Sequence, residues 1–176
     1  MRNLFILTSV LILLCLTASF ANAGTTTDPK LIGTYSDWSA YSFKEDGNSV
    51  CYILSSPKKA AGAYKKRGEI FATVTHRPAE KSLNVFSVIA GYSYKPQTSV
   101  TLNIDKQKFV LFTQKDSAWA PDPTTDKTIV DAMRKGKVMT VTGTSSKGTK
   151  TTDTYGLKGT ADAFAAIAKE CELKTP

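Results

Sequence analysis

His76 is the single histidine of the chain, and histidine is the side chain whose ordinary pKa lies closest to neutrality. To act as a general base it needs a hydroxyl, thiol or carboxyl within hydrogen-bond reach. It stands in Thr75-His76-Arg77-Pro78, at an expected strand end, with no nucleophile motif beside it. Neither G-x-S-x-G nor H-E-x-x-H occurs, and one histidine cannot build a histidine-rich metal site. His76 is therefore expected to be structural or surface-exposed. Asp37, Asp116, Asp122, Asp126, Asp131 and Asp153 are scattered without the spacing of a calcium loop. Nothing points to a glycosidase-type pair among them, and Asp153 is expected to accept backbone donors near a hairpin. Gly143, Gly148, Gly156 and Gly159 lie among strand signals and read as turns or bulges, not as a phosphate cradle. No cofactor, metal or catalytic residue is implied.

The most distinctive surface feature is the basic run that holds Lys58, Lys59, Tyr64, Lys65, Lys66 and Arg67. It offers several charge contacts to an anionic partner, with Tyr64 as an aromatic contact. The competing expectation is a solvated, mobile loop, the usual fate of a charge run. Trp38 and Trp119 have the chemistry of sugar-stacking platforms, but such residues more often fill a sandwich core, and Trp38 is assigned there.

The chain opens Met1-Arg2-Asn3, continues through an apolar run from Leu4 to Leu16 and reaches Ala21-Asn22-Ala23. A basic start, a short apolar core and an Ala-x-Ala site are the signature of a secretory signal peptide. Residues 1–23 are assigned to it. The apolar run is short for a membrane span of about 20 residues, which argues against an uncleaved anchor. Leu14 before Cys15 argues against a lipoprotein. The formal charge is +8; loss of Arg2 leaves the exported part clearly basic, suited to anionic surfaces. Outside the cytoplasm those are lipid headgroups, lipopolysaccharide or host glycans rather than nucleic acid. Cys51 and Cys171 remain as a pair, and in an oxidising compartment a pair reads as a disulfide. Closing a loop of roughly 120 residues is worth about 4–5 kcal/mol in the chain-entropy account. The alternative is two separate buried thiols.

These side chains must be positioned by short strands. Residues 24–33 are polar and expected to be a flexible leader. Thr34–Phe43 and Val50–Leu54 form a hairpin about the Asp46-Gly47 turn. Ser56–Gly68 is a loop. Ile70–Thr75, Val85–Ala90, Val100–Ile104 and Phe109–Phe112 follow, with alternation clearest over 100–104. A helix capped by Thr124 or Thr125 runs to Lys135 and stops at Gly136, with Asp126 in its first turn. Val138–Thr142 and Thr149–Leu157 make a second hairpin, and Thr160–Glu170 a second helix rich in alanine. Residues 34–176 form one domain, large enough to bury roughly 68–70% of its unfolded surface.

Several segments resemble the invasion-associated locus B family of alphaproteobacteria. They are Asp37-Trp38, Val74-Thr75-His76-Arg77-Pro78, Val88-Ile89-Ala90-Gly91-Tyr92, Leu111-Phe112-Thr113 and Ala118-Trp119. The longest runs from Gly143 to Thr149 and on from Asp153 to Gly159. Their order and spacing carry the likeness from about Thr34 to Cys171. Gly156, where a serine is expected, and Thr160, where a larger apolar residue is expected, depart from the pattern. The resemblance implies an immunoglobulin-like antiparallel β-sandwich in the periplasm or at the outer membrane, and some members are linked to entry into host cells. It implies no catalytic motif.

The combined expectation is a mainly-β sandwich with two short helices, closed by Cys51 and Cys171. It is a periplasmic, outer-membrane-associated or secreted protein that binds an anionic envelope or host-surface component without catalysis. No transmembrane span remains after signal cleavage. A periplasmic housekeeping or envelope-stress factor and an undeclared hydrolase are the alternatives.

Overall fold

A computed structural model describes residues 24–173. The signal peptide assigned to residues 1–23 lies outside them. Eleven strands and two α-helices follow one another in the described residues: β1 (Lys30–Tyr35), β2 (Trp38–Glu45), β3 (Asn48–Ser55), β4 (Lys59–Gly62), β5 (Phe71–Arg77), β6 (Ser82–Ile89), β7 (Val100–Ile104), β8 (Gln107–Gln114), β9 (Ser117–Trp119), α1 (Pro123–Lys135), β10 (Val138–Thr144), β11 (Lys150–Gly156) and α2 (Thr160–Glu170).

All ladders are antiparallel, in the order β1-β2-β3-β5-β6-β9-β8-β7-β10-β11-β4. The run folds over where β8 changes partner. Val100 of β7 faces Leu111 of β8, while the next residue, Phe112, faces Trp119 of β9. A strand that switches sheets makes a corner between two layers. The mainly-β, sandwich-like expectation with two helices is borne out.

Register sets the inner face of the first layer. Trp38 opposes Tyr35 in β1, and along β2, β3 and β5 the triples Ala40-Ile53-Val74 and Ser42-Cys51-His76 stand in line. Successive strand side chains point to opposite faces, so these residues and Phe86 and Val88 of β6 all face inward and are buried. From the second layer Leu102, Met139 and Tyr155 meet them, and Trp38 is fully buried as expected. The helices cover the remaining end: α1 packs on β6, and α2 on β1, β2 and β3. The Phe86 amide donates to the Asp126 carboxylate at 2.8 Å, which ties α1 to the sheet. Cys51 and Cys171 form the expected disulfide and join β3 to the end of α2.

Four sequence expectations differ from the structure. The flexible leader of residues 24–33 runs into β1 from Lys30, and the Thr27 amide already donates to the Lys44 carbonyl. The expected Thr34–Phe43 strand breaks at Ser36, whose φ of 55° makes a tight turn between β1 and β2. Asp122, rather than Thr124 or Thr125, caps α1, accepting the Thr125 amide at 2.8 Å. Finally, the expected loop 56–68 contains β4, paired with β11 from Thr151 to Thr154.

Candidate anion-binding cleft

Four connections meet at one end of the β10–β11 hairpin. The Lys95 amide donates to the Thr144 carbonyl at 2.9 Å and the Ser146 amide to the Ser93 carbonyl at 2.8 Å. The Tyr94 amide donates to the Lys115 carbonyl at 2.8 Å, and the Gly68 amide to the Gly91 carbonyl at 2.8 Å. The last contact needs a glycine at position 91. Gly91 has φ +68°, and a Cβ there would sit 2.5 Å from the Gly68 carbonyl oxygen. The segments 63–68, 91–95 and 144–149 are thereby locked to one another.

Between them lies a cleft of about 740 Å³, within the usual range for a small-ligand site. Tyr64, Lys65, Lys66 and Lys147 line it, with the hydroxyl-bearing Ser93, Ser146 and Thr149. Among the described residues, none of these three lysines is in an ion pair. A second hollow, about 600 Å³, shares Tyr92 and Ser93 as a common wall and is flanked by Glu69, Lys115 and Asp116.

Behind two of the lining rings, Tyr64 and Tyr92, lies a buried ion pair. Arg67 donates from Nη1 and Nη2 to the two Asp153 oxygens at 2.7 and 2.5 Å, and from Nε to the Ala90 carbonyl at 2.6 Å. Both side chains are only 3% exposed. Burial would lower the Arg67 pKa, but the hydrogen bonds and charge of Asp153 outweigh it and hold the guanidinium above its ordinary value. The guanidinium carbon lies 4.8 Å from the Tyr92 ring centroid and 5.4 Å from that of Tyr64. The Tyr92 hydroxyl shares a 2.6 Å hydrogen bond with Thr151, and its ring meets Tyr94 edge-on. Burial, ahead of all other influences, raises the pKa of Tyr92 and Tyr94. Both phenols are neutral at physiological pH, so the excess charge of the cleft is that of its lysines.

The basic run is thus split by the fold. Tyr64, Lys65 and Lys66 reach the cleft. Lys58 turns away to pair with Asp37 at 2.5 Å, and Lys59 sits on the edge strand β4. Arg67, expected among the partner-binding cations, spends its charge inside the protein. Its partner Asp153 holds a guanidinium rather than the backbone donors expected for it. Lys147, Ser93 and Ser146 were not singled out by sequence reasoning. Ser146 and Lys147 show in the sequence only as part of the Gly143–Thr149 segment that carries the family resemblance, and Ser93 shows no signal.

His76 lies elsewhere, buried opposite Cys51, and its Nδ1 accepts the Asn84 amide at 3.0 Å. Burial, and then the charge of Arg134, lowers its pKa to about 4. It is a neutral core residue, the structural role expected of it. Among the described residues no cluster of His, Cys, Asp and Glu could hold a metal ion, and no helix is long and apolar enough to cross a membrane.

These features define a small, mainly-β, disulfide-closed domain with a lysine-lined cleft between its end loops. A family model described as Invasion associated locus B (IalB) protein matches residues 38–168, and the chain belongs to that family. The match takes in every residue of the cleft. The family is not a known enzyme family. No curated protein and no solved structure matches the chain.

Proposed function

We propose that this IalB-family protein is exported to the cell envelope and acts there as a non-enzymatic binding module, holding an anionic partner in the cleft. The observation that carries the reading is the convergence on one cleft of Lys65, Lys66 and Lys147, three cations without acidic partners among the described residues. Lysines left unpaired at a concave surface attract counter-charge from solution. Export is supported by the signal-peptide pattern of residues 1–23 and by the Cys51–Cys171 disulfide, a bond that persists in oxidising compartments. The absence of catalysis is supported by the placement of His76, whose free base is occupied by a backbone amide inside the core.

The anionic partner is a component of the bacterial envelope or, for a protein at the cell surface, of a host cell. Fractionation of the producing cells with protease treatment before and after outer-membrane permeabilisation tests the reading. Protection until permeabilisation places the domain in the periplasm; cleavage in intact cells places it on the surface, where host contact is open to it. Recovery in the cytoplasm with free Cys51 and Cys171 thiols would overturn export.

A further inference from the structure

The cleft carries more information than its charge. Beside the three lysines the hydroxyl-bearing Ser93, Ser146 and Thr149 line it. The exposed Leu31, Leu83, Val110 and Phe112 line neither hollow, whereas Phe71 and Ile89 line the second one. The apolar side chains of the cleft are Ala63 and the rings of Tyr64 and Tyr92, a lining that suits a ring-shaped partner better than an acyl chain. A ligand rich in hydroxyls and carrying fixed negative charge matches both the donors and the lysines.

Tyr64 adds a second criterion. It is 36% exposed, its hydroxyl is tied to the Ala60 carbonyl at 3.1 Å, and the Arg67 guanidinium lies over its ring. The ring is therefore held in place with part of its surface open to the cleft. A fixed aromatic surface favours a flat, C–H-bearing partner, and a sugar ring has such a face and equatorial hydroxyls around it.

Resting on the binding reading above, we infer that the occupant of the cleft is an anionic saccharide, a sugar bearing phosphate, sulfate or carboxylate groups. Lys65, Lys66 and Lys147 meet its charges, the serines its hydroxyls and Tyr64 its ring. The same chemistry is carried by the phosphorylated sugars of bacterial glycolipids and by the sulfated glycans of animal cells.

Titration calorimetry on the purified protein separates these possibilities with four probes: an acyl-free glucosamine disaccharide bisphosphate, a heparin-derived tetrasaccharide, tripolyphosphate, and a neutral chitin tetrasaccharide. The expected result is binding of one or both anionic saccharides, at least about tenfold tighter than tripolyphosphate, and none of the neutral one. Preference for the bisphosphate assigns the bacterial source, and preference for the sulfated probe the host source. Lys65→Ala/Lys66→Ala and Lys147→Ala should each weaken the preferred probe by about tenfold or more. Tyr64→Ala should weaken the saccharide and leave tripolyphosphate unchanged. Thermal melting of each variant confirms that the fold is intact. Equal binding of tripolyphosphate, or no loss in Tyr64→Ala, overturns the saccharide while the anionic-partner reading stands. Binding of none of the three anions overturns both.

Discussion

The guanidinium of Arg67 and the carboxylate of Asp153 meet through two parallel hydrogen bonds although 86 residues separate them in the chain. The pair joins the segment after β4 to the middle of β11 and supports the wall of the cleft. Removing one partner strands a buried charge, which typically costs about 3–5 kcal/mol. Arg67→Ala and Asp153→Ala are each expected to lose stability of that order in urea denaturation. The double substitution should cost clearly less than the sum, because neither charge is then left alone. Additive losses would show that the two side chains do not depend on each other.

Tyr155 gives a prediction of opposite sign. Its hydroxyl is buried beside this cluster with no hydrogen-bond partner among the described residues. An unmet buried polar group is a cost, so deleting it while keeping the ring relieves that cost. Tyr155→Phe is expected to raise the urea midpoint, by up to about 1 kcal/mol in stability. A loss of more than that would mean the hydroxyl is in use.

Two buried groups make acid stability unusual because their effects oppose each other. His76 has a folded pKa of about 4, below its ordinary 6.5, through burial and then the charge of Arg134. Its unfolded form binds more protons in that window, so its contribution is complete above pH 6.5 and is lost as pH falls toward 4. Asp126 is raised from 3.8 to about 6 by burial, against the pull of the Phe86 amide and with the charge of Asp122 adding to the rise. For this carboxyl the folded form binds more protons, so its contribution is present below pH 3.8 and is lost as pH rises through 6. Each is worth on the order of 3 kcal/mol, and the two cancel over much of the window. Asp126→Asn should therefore expose a stability that climbs with pH between about 4 and 6.5, and His76→Gln one that declines. Unfolding curves at several pH values read both slopes directly; identical profiles for the two variants would contradict the assignment.

Cys51→Ser and Cys171→Ser should each cost up to about 4–5 kcal/mol, since either opens the same ring. The double variant should be little worse than either single one. Clear additivity in chemical denaturation would mean that the two sulfurs act separately.

The parts of the fold legible in the sequence are those whose local pattern agrees with their tertiary role. Val100–Ile104 alternates apolar and polar side chains and forms β7 with those bounds. Thr160–Glu170 puts Ala163, Phe164 and Ile167 on one helical face and forms α2 as expected. β4 was not legible because Lys59-Ala60-Ala61-Gly62 has neither β-branched residues nor alternation; its extended shape is supplied by the ladder to β11. Half of the cleft was visible as the basic run, but composition could not separate Arg67 from Lys66. What distinguishes them is an aspartate far along the chain. Lys147 was missed for a similar reason: a lone lysine in a turn acquires meaning only when the Ser93–Ser146 contact carries it to Lys65 and Lys66.

The disulfide makes residues 51–171 a covalent ring, and the exposed Lys65-Lys66 pair lies on that ring. Trypsin cutting there once would linearise the ring without releasing either piece. On a non-reducing gel the nicked molecule would migrate close to the intact one, and two fragments would part only after thiol treatment. Exposure of the cleft to an extracellular protease could therefore leave a molecule that still looks whole, its damage visible only once the sulfur bridge is reduced.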